Sequence, residues 1–344
     1  MIDMLAPWRD DTRMDHGAFG NILPCLQAPD YRGALQSTPR TSRFAAPNRG
    51  ALSSPQIMTT PNTDRPTPNV PSGTHDDFSR VETWDDQRTE NWVKNLELRA
   101  AGADQVRLRR EIIDIARLRA GQCAIEIGSG TGPLLRDMAP VVGPAGRIIG
   151  IEPQTGLARY SRERGVANLP NVEVRNERAI ATAVAMRTAD VCIAQTVLIH
   201  VPLPERGETV AKMIELTKSG GRVISADQDA ESWVIDHPDR AMTRRITAFY
   251  VEQRFTDGWW ARKSRGEFMR AGLKDVESRA IVVMATDPQS YEFQMAKQRA
   301  NAAAQAGWIA IDEAARWSGA LDERAAAGQF FTTLNFYVTC AVKQ

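Results

Sequence analysis

Apolar and polar positions follow three different rhythms along this chain. Over residues 1–75 there is none: "APNRGALSSPQIMTTPNTDRPTPNVPSGT" at 46–74 is dense in Pro, Thr, Ser, Asn and Gly. Such a stretch buries too little apolar surface to offset its ordering entropy, which predicts a disordered N-terminal arm over 1–75. Met58 opens "MTTPNTDRPT", a second candidate start, with the expectation that 1–57 lie outside the native protein. From Trp84 the rhythm is helical. "WDDQRTENWVKNLELRAAGADQVRLRREIIDIARL" predicts two helices, interrupted at Gly102, with Asp104 capping the second.

From residue 122 short apolar runs alternate with amphipathic ones. Strands are expected at 122–128, 146–152, 171–176, 189–198 and 222–229. Between them "PLLRDMAPVV", "GLARYSRERG" and "PERGETVAKMIELTKSGG" read as helices, the last ended by its glycines. Nearly continuous apolar strands separated by helices indicate a parallel sheet covered on both faces. Right-handed crossovers then give a doubly wound α/β domain. Past Asp229 the pattern is mostly helical, rich in aromatics and then in Ala, with two late strands at 275–284 and in "FFTTLNFYVTCAVKQ" that pair as an antiparallel edge. The predicted fold class is α/β: a doubly wound, mainly parallel seven-stranded sheet with helical cap insertions. Its parts are N-terminal helices over 76–120, an α/β core over 121–229, and a helical cap with the closing strands over 230–344.

Composition narrows the function classes. The 344 residues are 42% hydrophobic and 25% charged, a soluble globular balance. A formal net charge of +1 gives no global electrostatic case for nucleic acid or an anionic membrane. No run approaches ~20 apolar residues, so no membrane span is expected. "MIDMLAPWRDDTRMDHG" lacks a signal-peptide layout. Cys25, Cys123, Cys192 and Cys340 have no metal-type spacing; the last three fall in apolar runs and read as buried thiols, which suits a reducing cytoplasm, and no metal is expected.

The sharpest local feature is "AIEIGSGTGPLL" at 124–135. Gly128, Gly130 and Gly132 bring backbone close to a ligand, but neither phosphate cradle fits. A dinucleotide loop needs its third glycine where Pro133 or Leu135 stands, and a Walker A loop needs a lysine that is missing. Glu126 ends the first strand and Glu152 the second. A pyrophosphate would be repelled by Glu126, whereas a cationic nucleoside is not; S-adenosylmethionine, with a sulfonium and an amino group, suits both acids. Pro133 stands where a helix starts, with no donor to lose.

"AIEIGSGTG" followed by "GRIIGIEPQ", "ADVCIAQTVLIHVP" and "SGGRVISADQD" resembles the ordered motifs of class I S-adenosylmethionine-dependent methyltransferases, most nearly the small-molecule group similar to the ubiquinone/menaquinone C-methyltransferases. The resemblance covers 107–229, and "FMRAGLKDVESRAIVV" is similar to the family's late helix-strand unit. It implies S-adenosylmethionine as cofactor, with the helices over 76–120 as a lid over it. Glu126 would reach the methionine amino group directly or through water, and Gly128, Ser129 and Gly130 would present backbone to methionine and ribose, with Gly132 at the helix start. Glu152 would take both ribose hydroxyls, Pro153, Gln154 and Leu157 would flank the adenine, and Gln195 would lie beside the transferred methyl. The family's acid after the third strand is replaced: in "NERA" Arg178 holds its place, before Ala179, so that Glu177 substitutes, or backbone alone reads the adenine, or the pocket is altered.

Methyl transfer from a sulfonium needs alignment and dryness, and a base only where the acceptor must lose a proton. His200 in "LIHVP" and Asp227 after the fifth strand lie on the ligand-binding rim of a doubly wound sheet and are the candidate catalytic groups. Trp233, Phe249, Tyr250, Phe255, Trp259, Trp260 and Phe268 supply the cap core, with two or three lining an acceptor pocket. One of the interleaved Arg244, Arg245, Arg254 and Arg262 could clamp an acidic substrate group. No Asn/Asp-Pro-Pro-aromatic motif follows the fourth strand, and the only Pro-Cys pair is Pro24–Cys25, in the arm. The expected partner is a small organic acceptor methylated at C, O or N, with no nucleic acid, and the expected assembly a homodimer. A non-catalytic S-adenosylmethionine-binding module and a nicotinamide-dependent oxidoreductase are the competing readings.

Overall fold

The computed structural model describes residues 76–344. The expected arm, the start at Met58 and Cys25 lie outside the described residues.

The first two helices are α1 (Asp86–Ala101) and α2 (Ala103–Ala116), parted at Gly102 as the pattern predicts. Asp85 caps α1 by accepting from the Arg88 N–H. Asp104 does not cap α2. It sits in the first turn, pairs with Arg107 and accepts from the Met284 N–H at 2.6 Å, tying the helix to a late strand.

The alternating segment folds as β1 (Cys123–Ile127), α3 (Pro133–Val142), β2 (Arg147–Ile151), α4 (Thr155–Tyr160), β3 (Val172–Arg175), β4 (Ala189–Gln195), α5 (Leu203–Leu216) and β5 (Thr217–Gln228). The remainder is β6 (Val234–Ile235), α6 (Arg240–Gln253), α7 (Trp260–Arg270), β7 (Lys274–Ala285), α8 (Tyr291–Gln305), α9 (Ile311–Ala326) and β8 (Thr332–Val342). The sheet order is β3-β2-β1-β4-β5-β8-β6, with β7 also paired to β8. β1 to β5 are parallel, and β8 runs antiparallel to its neighbours. β7 follows one edge of β8 from Thr332 to Val342, so β5 and the two-residue β6 share the other edge. Seven positions therefore lie across the sheet, as expected, but β8 is interior and β7 forms the edge.

α5 is shorter than its sequence pattern. It ends at Leu216, and the Thr217–Gly221 stretch joins the sheet rather than the helix. The cause is distant: Gly220 N–H donates to the Lys343 carbonyl at 2.7 Å, and Lys343 N–H to that of Gly221 at 2.9 Å. The Lys343 ammonium also caps α5, donating to the carbonyls of Ile214 and Thr217 at 2.7 Å each; a cation there complements the helix dipole.

The main core packs β1, β2, β4 and β5 between α2, α3 and α5, with Ile125, Ile148, Ile193 and Val223 sealed from solvent. Among the described residues no helix is long and apolar enough to cross a membrane. Cys192 and Cys340 are buried and Cys123 half-buried, all as free thiols.

Candidate active site

At the C-terminal ends of the parallel strands the chain leaves β1 through a left-handed Gly128, at φ +66°. A Cβ there would lie 2.5 Å from Val197 Cγ2, so the absent side chain lets the glycine loop pass against the turn after β4. The N–H groups of Gly128 and Ser129 both donate to the Ile151 carbonyl, pinning the loop to the end of β2. Gly132, at φ +88°, leads into α3 with Pro133 as its first residue.

Two carboxylates converge on this loop. Glu152 follows β2 and accepts from Gly130 N–H at 2.8 Å on one oxygen and from Gln154 N–H at 2.9 Å on the other. Burial pushes its pKa up to about 7 against those two hydrogen bonds. Glu126 is 3% exposed, and its Oε2 is buried without a partner. Burial foremost, then the charge of Glu152, raises its pKa well above the usual carboxylate range. The hydroxyls of Ser129 and Thr131 are likewise buried and unbonded. Buried polar groups normally find partners; here three such atoms cluster where the backbone has been stripped of side chains.

The loop forms one wall of a cavity of about 840 Å³. Of the residues singled out from sequence, Glu126, Gly128, Ser129, Gly130, Glu152, Pro153, Leu157, Arg178, Ala179, Gln195 and His200 line it. Four do not, each for a local reason. Gly132 turns the chain into α3, where a Cβ would meet Ser161 Oγ at 2.7 Å. Gln154 caps α4, accepting from Leu157 N–H, and donates to Thr89 Oγ1 at 2.9 Å. Glu177 accepts from Thr182 Oγ1 and Ala183 N–H, so its carboxylate holds its own turn. Asp227 is fully buried; it accepts from Val197 N–H at 3.0 Å and Ser225 Oγ at 2.7 Å, and thereby positions the turn after β4 instead of meeting a ligand. Arg178 reaches across the rim to Glu82 and Glu205.

That turn carries strain and a histidine. Thr196 is left-handed at φ +56°, and its Oγ1 accepts from Arg99 at 3.1 Å. Four residues on, His200 Nδ1 lies 2.8 Å from Asp76 Oδ1. Asp76 is itself pinned by Thr256, whose N–H and hydroxyl donate to Oδ2, and by Phe78 N–H on Oδ1. Burial opposes its ionisation, yet the His200 charge and these hydrogen bonds prevail and hold its pKa below the usual range. His200 Nδ1–H therefore donates to a carboxylate, which leaves Nε2 as the ring's acceptor.

Several lining residues escaped the sequence. Asp76 and Phe78 precede the first helix in a stretch without periodicity. Trp92 and Arg99 lie within α1, where helical spacing alone marks no ligand contact, and Tyr291, Met295 and Arg299 share one face of α8 at helical spacing, a pattern indistinguishable from a buried stripe. Of the cap aromatics, Trp233, Tyr250 and Phe255 line the cavity, while Phe249, Trp260 and Phe268 are core. Arg254 lines it too, with an ion pair to Asp77 at 2.9 Å; Arg245 and Arg262 instead pair with Glu313, Asp229 and Glu231 away from it.

The unpartnered Glu126 oxygen, the acceptor capacity left on Glu152 and the bare glycine backbone fit a nucleoside with vicinal hydroxyls and a positive charge. Residues 124–221 match the family described as "Methyltransferase domain". An uncharacterised 37.1 kDa protein of a Streptomyces fradiae transposon is 28% identical over 231 residues, 67% of this chain and 65% of that protein. The ubiquinone/menaquinone biosynthesis C-methyltransferase UbiE of Klebsiella pneumoniae is 27% identical over 118 residues, 34% of this chain. The match spans 46% of that enzyme's length, so the chain covers under half of it. Among solved structures, the YcgJ protein of Bacillus subtilis superposes with a TM-score of 0.47 at 12% identity, over 69% of this chain and 99% of that one. Residues 124–221 carry a methyltransferase domain, and the motifs, the sheet order and the domain match together support a class I S-adenosylmethionine-dependent methyltransferase.

Proposed function

We propose that this protein transfers a methyl group from S-adenosylmethionine to a small organic acceptor held in the same cavity, with His200 receiving the acceptor's proton. The observation that carries this reading is continuity: one cavity has the acid-flanked glycine loop on one wall and the Asp76-anchored His200 on another.

The backbone of Gly128 to Gly130 and the carboxylate of Glu126 would hold the methionine portion, Glu152 the ribose hydroxyls, and Pro153, Leu157 and Ala179 the adenine. Bound there, the sulfonium supplies an already activated methyl, so the protein's task is alignment and exclusion of water. Phe78 packs edge-on against Trp84 and Trp92 at 5.0 and 4.6 Å between centroids, and this aromatic cluster covers the cavity from the side of α1. The Asp76 carboxylate fixes the His200 ring through Nδ1, so that Nε2 is the atom that would receive the proton. A volume of about 840 Å³ is large enough for a nucleoside cofactor and a small acceptor together.

The test is transfer of a labelled methyl from S-adenosylmethionine into a panel of small phenols, enols and amines. Label in any acceptor, dependent on the native protein, is the expected result. Tight cofactor binding without label in the whole panel would favour a non-catalytic cofactor-binding module instead.

A further inference from the structure

Three arginines of the described residues are almost fully buried, and they differ in one respect. Arg109, 6% exposed, bonds Asp137 at 2.6 Å, and Arg206, 5% exposed, bonds Asp257 at 2.8 Å. Arg299 on α8 is 7% exposed, lines the cavity, and among the described residues pairs with no carboxylate. Its guanidinium carbon lies 3.6 Å from the Tyr250 ring centroid and 4.2 Å from that of Trp233. Nη2 donates to Tyr250 Oη at 2.7 Å, while Nε is buried with no partner at all. Glu292, the acid nearest to it in effect, lies about two helical turns away on the same helix and accepts from Gln105 instead.

The surroundings add donors and no acceptor charge. Gln228 Nε2 also donates to Tyr250 Oη, at 3.0 Å. With two bonds accepted, the tyrosine's own proton is left to donate onward. Arg99 lines the same cavity and donates to the Thr196 hydroxyl, its guanidinium resting over the rings of Phe336 and Tyr291 at 5.7 and 6.0 Å. The two rings flanking Arg299 account for part of its burial by cation–π attraction, but they offer nothing to Nε. A buried cation with a free N–H, beside a free phenolic donor, is half of an ion pair.

We infer that the acceptor carries an acidic group, a carboxylate or phosphate, and that Arg299 and Tyr250 bind it at the end of the cavity formed by α6 and α8. This rests on the methyl-transfer reading for the word acceptor, but the acid site itself does not. The single planar guanidinium matches one carboxylate, and Trp233 and Phe255 give the rest of the molecule an apolar wall.

Calorimetry on the full chain, with and without S-adenosylhomocysteine, would use benzoate, phenyl phosphate and benzamide as probes. Benzoate or phenyl phosphate should bind about tenfold or more tightly than benzamide, and their order tells carboxylate from phosphate. Arg299→Gln should abolish the preference and Arg299→Lys retain part of it, with S-adenosylhomocysteine affinity unchanged in both as the check on folding. No preference for the acids in the wild-type protein, including no binding by any probe, overturns the inference, and so does an undiminished preference in Arg299→Gln. An acid preference in a protein that binds no S-adenosylhomocysteine would overturn the methyl-transfer reading and leave the acid site standing.

Discussion

The two ends of the cavity are built from opposite materials. The proposed cofactor end is backbone and carboxylate: the glycine loop, Glu126 and Glu152, all within the β1–α3–β2 unit. The proposed acceptor end is built of side chains, among them two arginines: Asp76, Arg99, His200, Tyr250 and Arg299, each from a different segment of the chain. A ligand with a fixed shape can be held by a local backbone motif, whereas an acceptor is recognised by groups brought together from afar. The charges are opposite as well. An unpartnered Glu126 oxygen stands at one end and the Arg299 guanidinium at the other, which in the proposed reading would separate a cationic cofactor from an acidic acceptor before either makes a specific contact.

The largest effect should come from the side-chain end. His200→Ala should lower turnover by about 10²–10⁴-fold, the usual worth of a positioned base, while leaving S-adenosylmethionine affinity unchanged by calorimetry. Asp76→Asn should have a smaller effect and move the pH profile of kcat. A parallel loss of cofactor affinity in His200→Ala would erase the distinction between the two ends.

Glu152 tests the acidic end. With its pKa about 7 in the fold against 4.5 when unfolded, the stability its protonated form contributes is complete below about pH 4.5. That stability is lost as pH rises through about 7, by roughly 3 kcal/mol in all. Denaturant midpoints of the ligand-free protein should therefore fall over this window, and Glu152→Gln, which mimics the protonated acid, should fall less. Cofactor affinity should run the other way, rising with pH as the carboxylate forms. Affinity that is flat from pH 6 to 8 would count against Glu152 as the ribose acceptor.

The smallest expected effect is Gly128→Ala. A left-handed alanine costs about 1–2 kcal/mol, and its Cβ presses on Val197. Urea denaturation should show that loss together with weaker cofactor binding. Unchanged cofactor binding would mean that the loop's close approach to the turn after β4 is structural only.

Much of this was legible from residue order alone. The strands from β1 to β5, the break at Gly102, Pro133 at the start of α3 and the pair Glu126 and Glu152 depend on neighbours a few residues away, and hydrophobic period, turn chemistry and strand-end position report such neighbours directly. Where competing hydrogen bonds decide, residue order is silent. Gln154, Glu177 and Asp227 have the right position and the right chemistry for ligand contact, yet a helix start, a turn and a strand-end loop claim their oxygens first.

The end of α5 illustrates the same limit in the backbone, since Gly220 and Gly221 join the sheet only because the C-terminal Lys343 arrives beside them. Sequence by itself therefore determined the fold class, the glycine cradle and the methyltransferase-domain resemblance. The tertiary structure alone decided that Asp76 orients His200 and that Arg299 is buried without a counter-charge. Those properties belong to distances between segments up to 124 residues apart in the chain, and an unpaired buried charge is defined by what fails to lie near it, which no local pattern encodes.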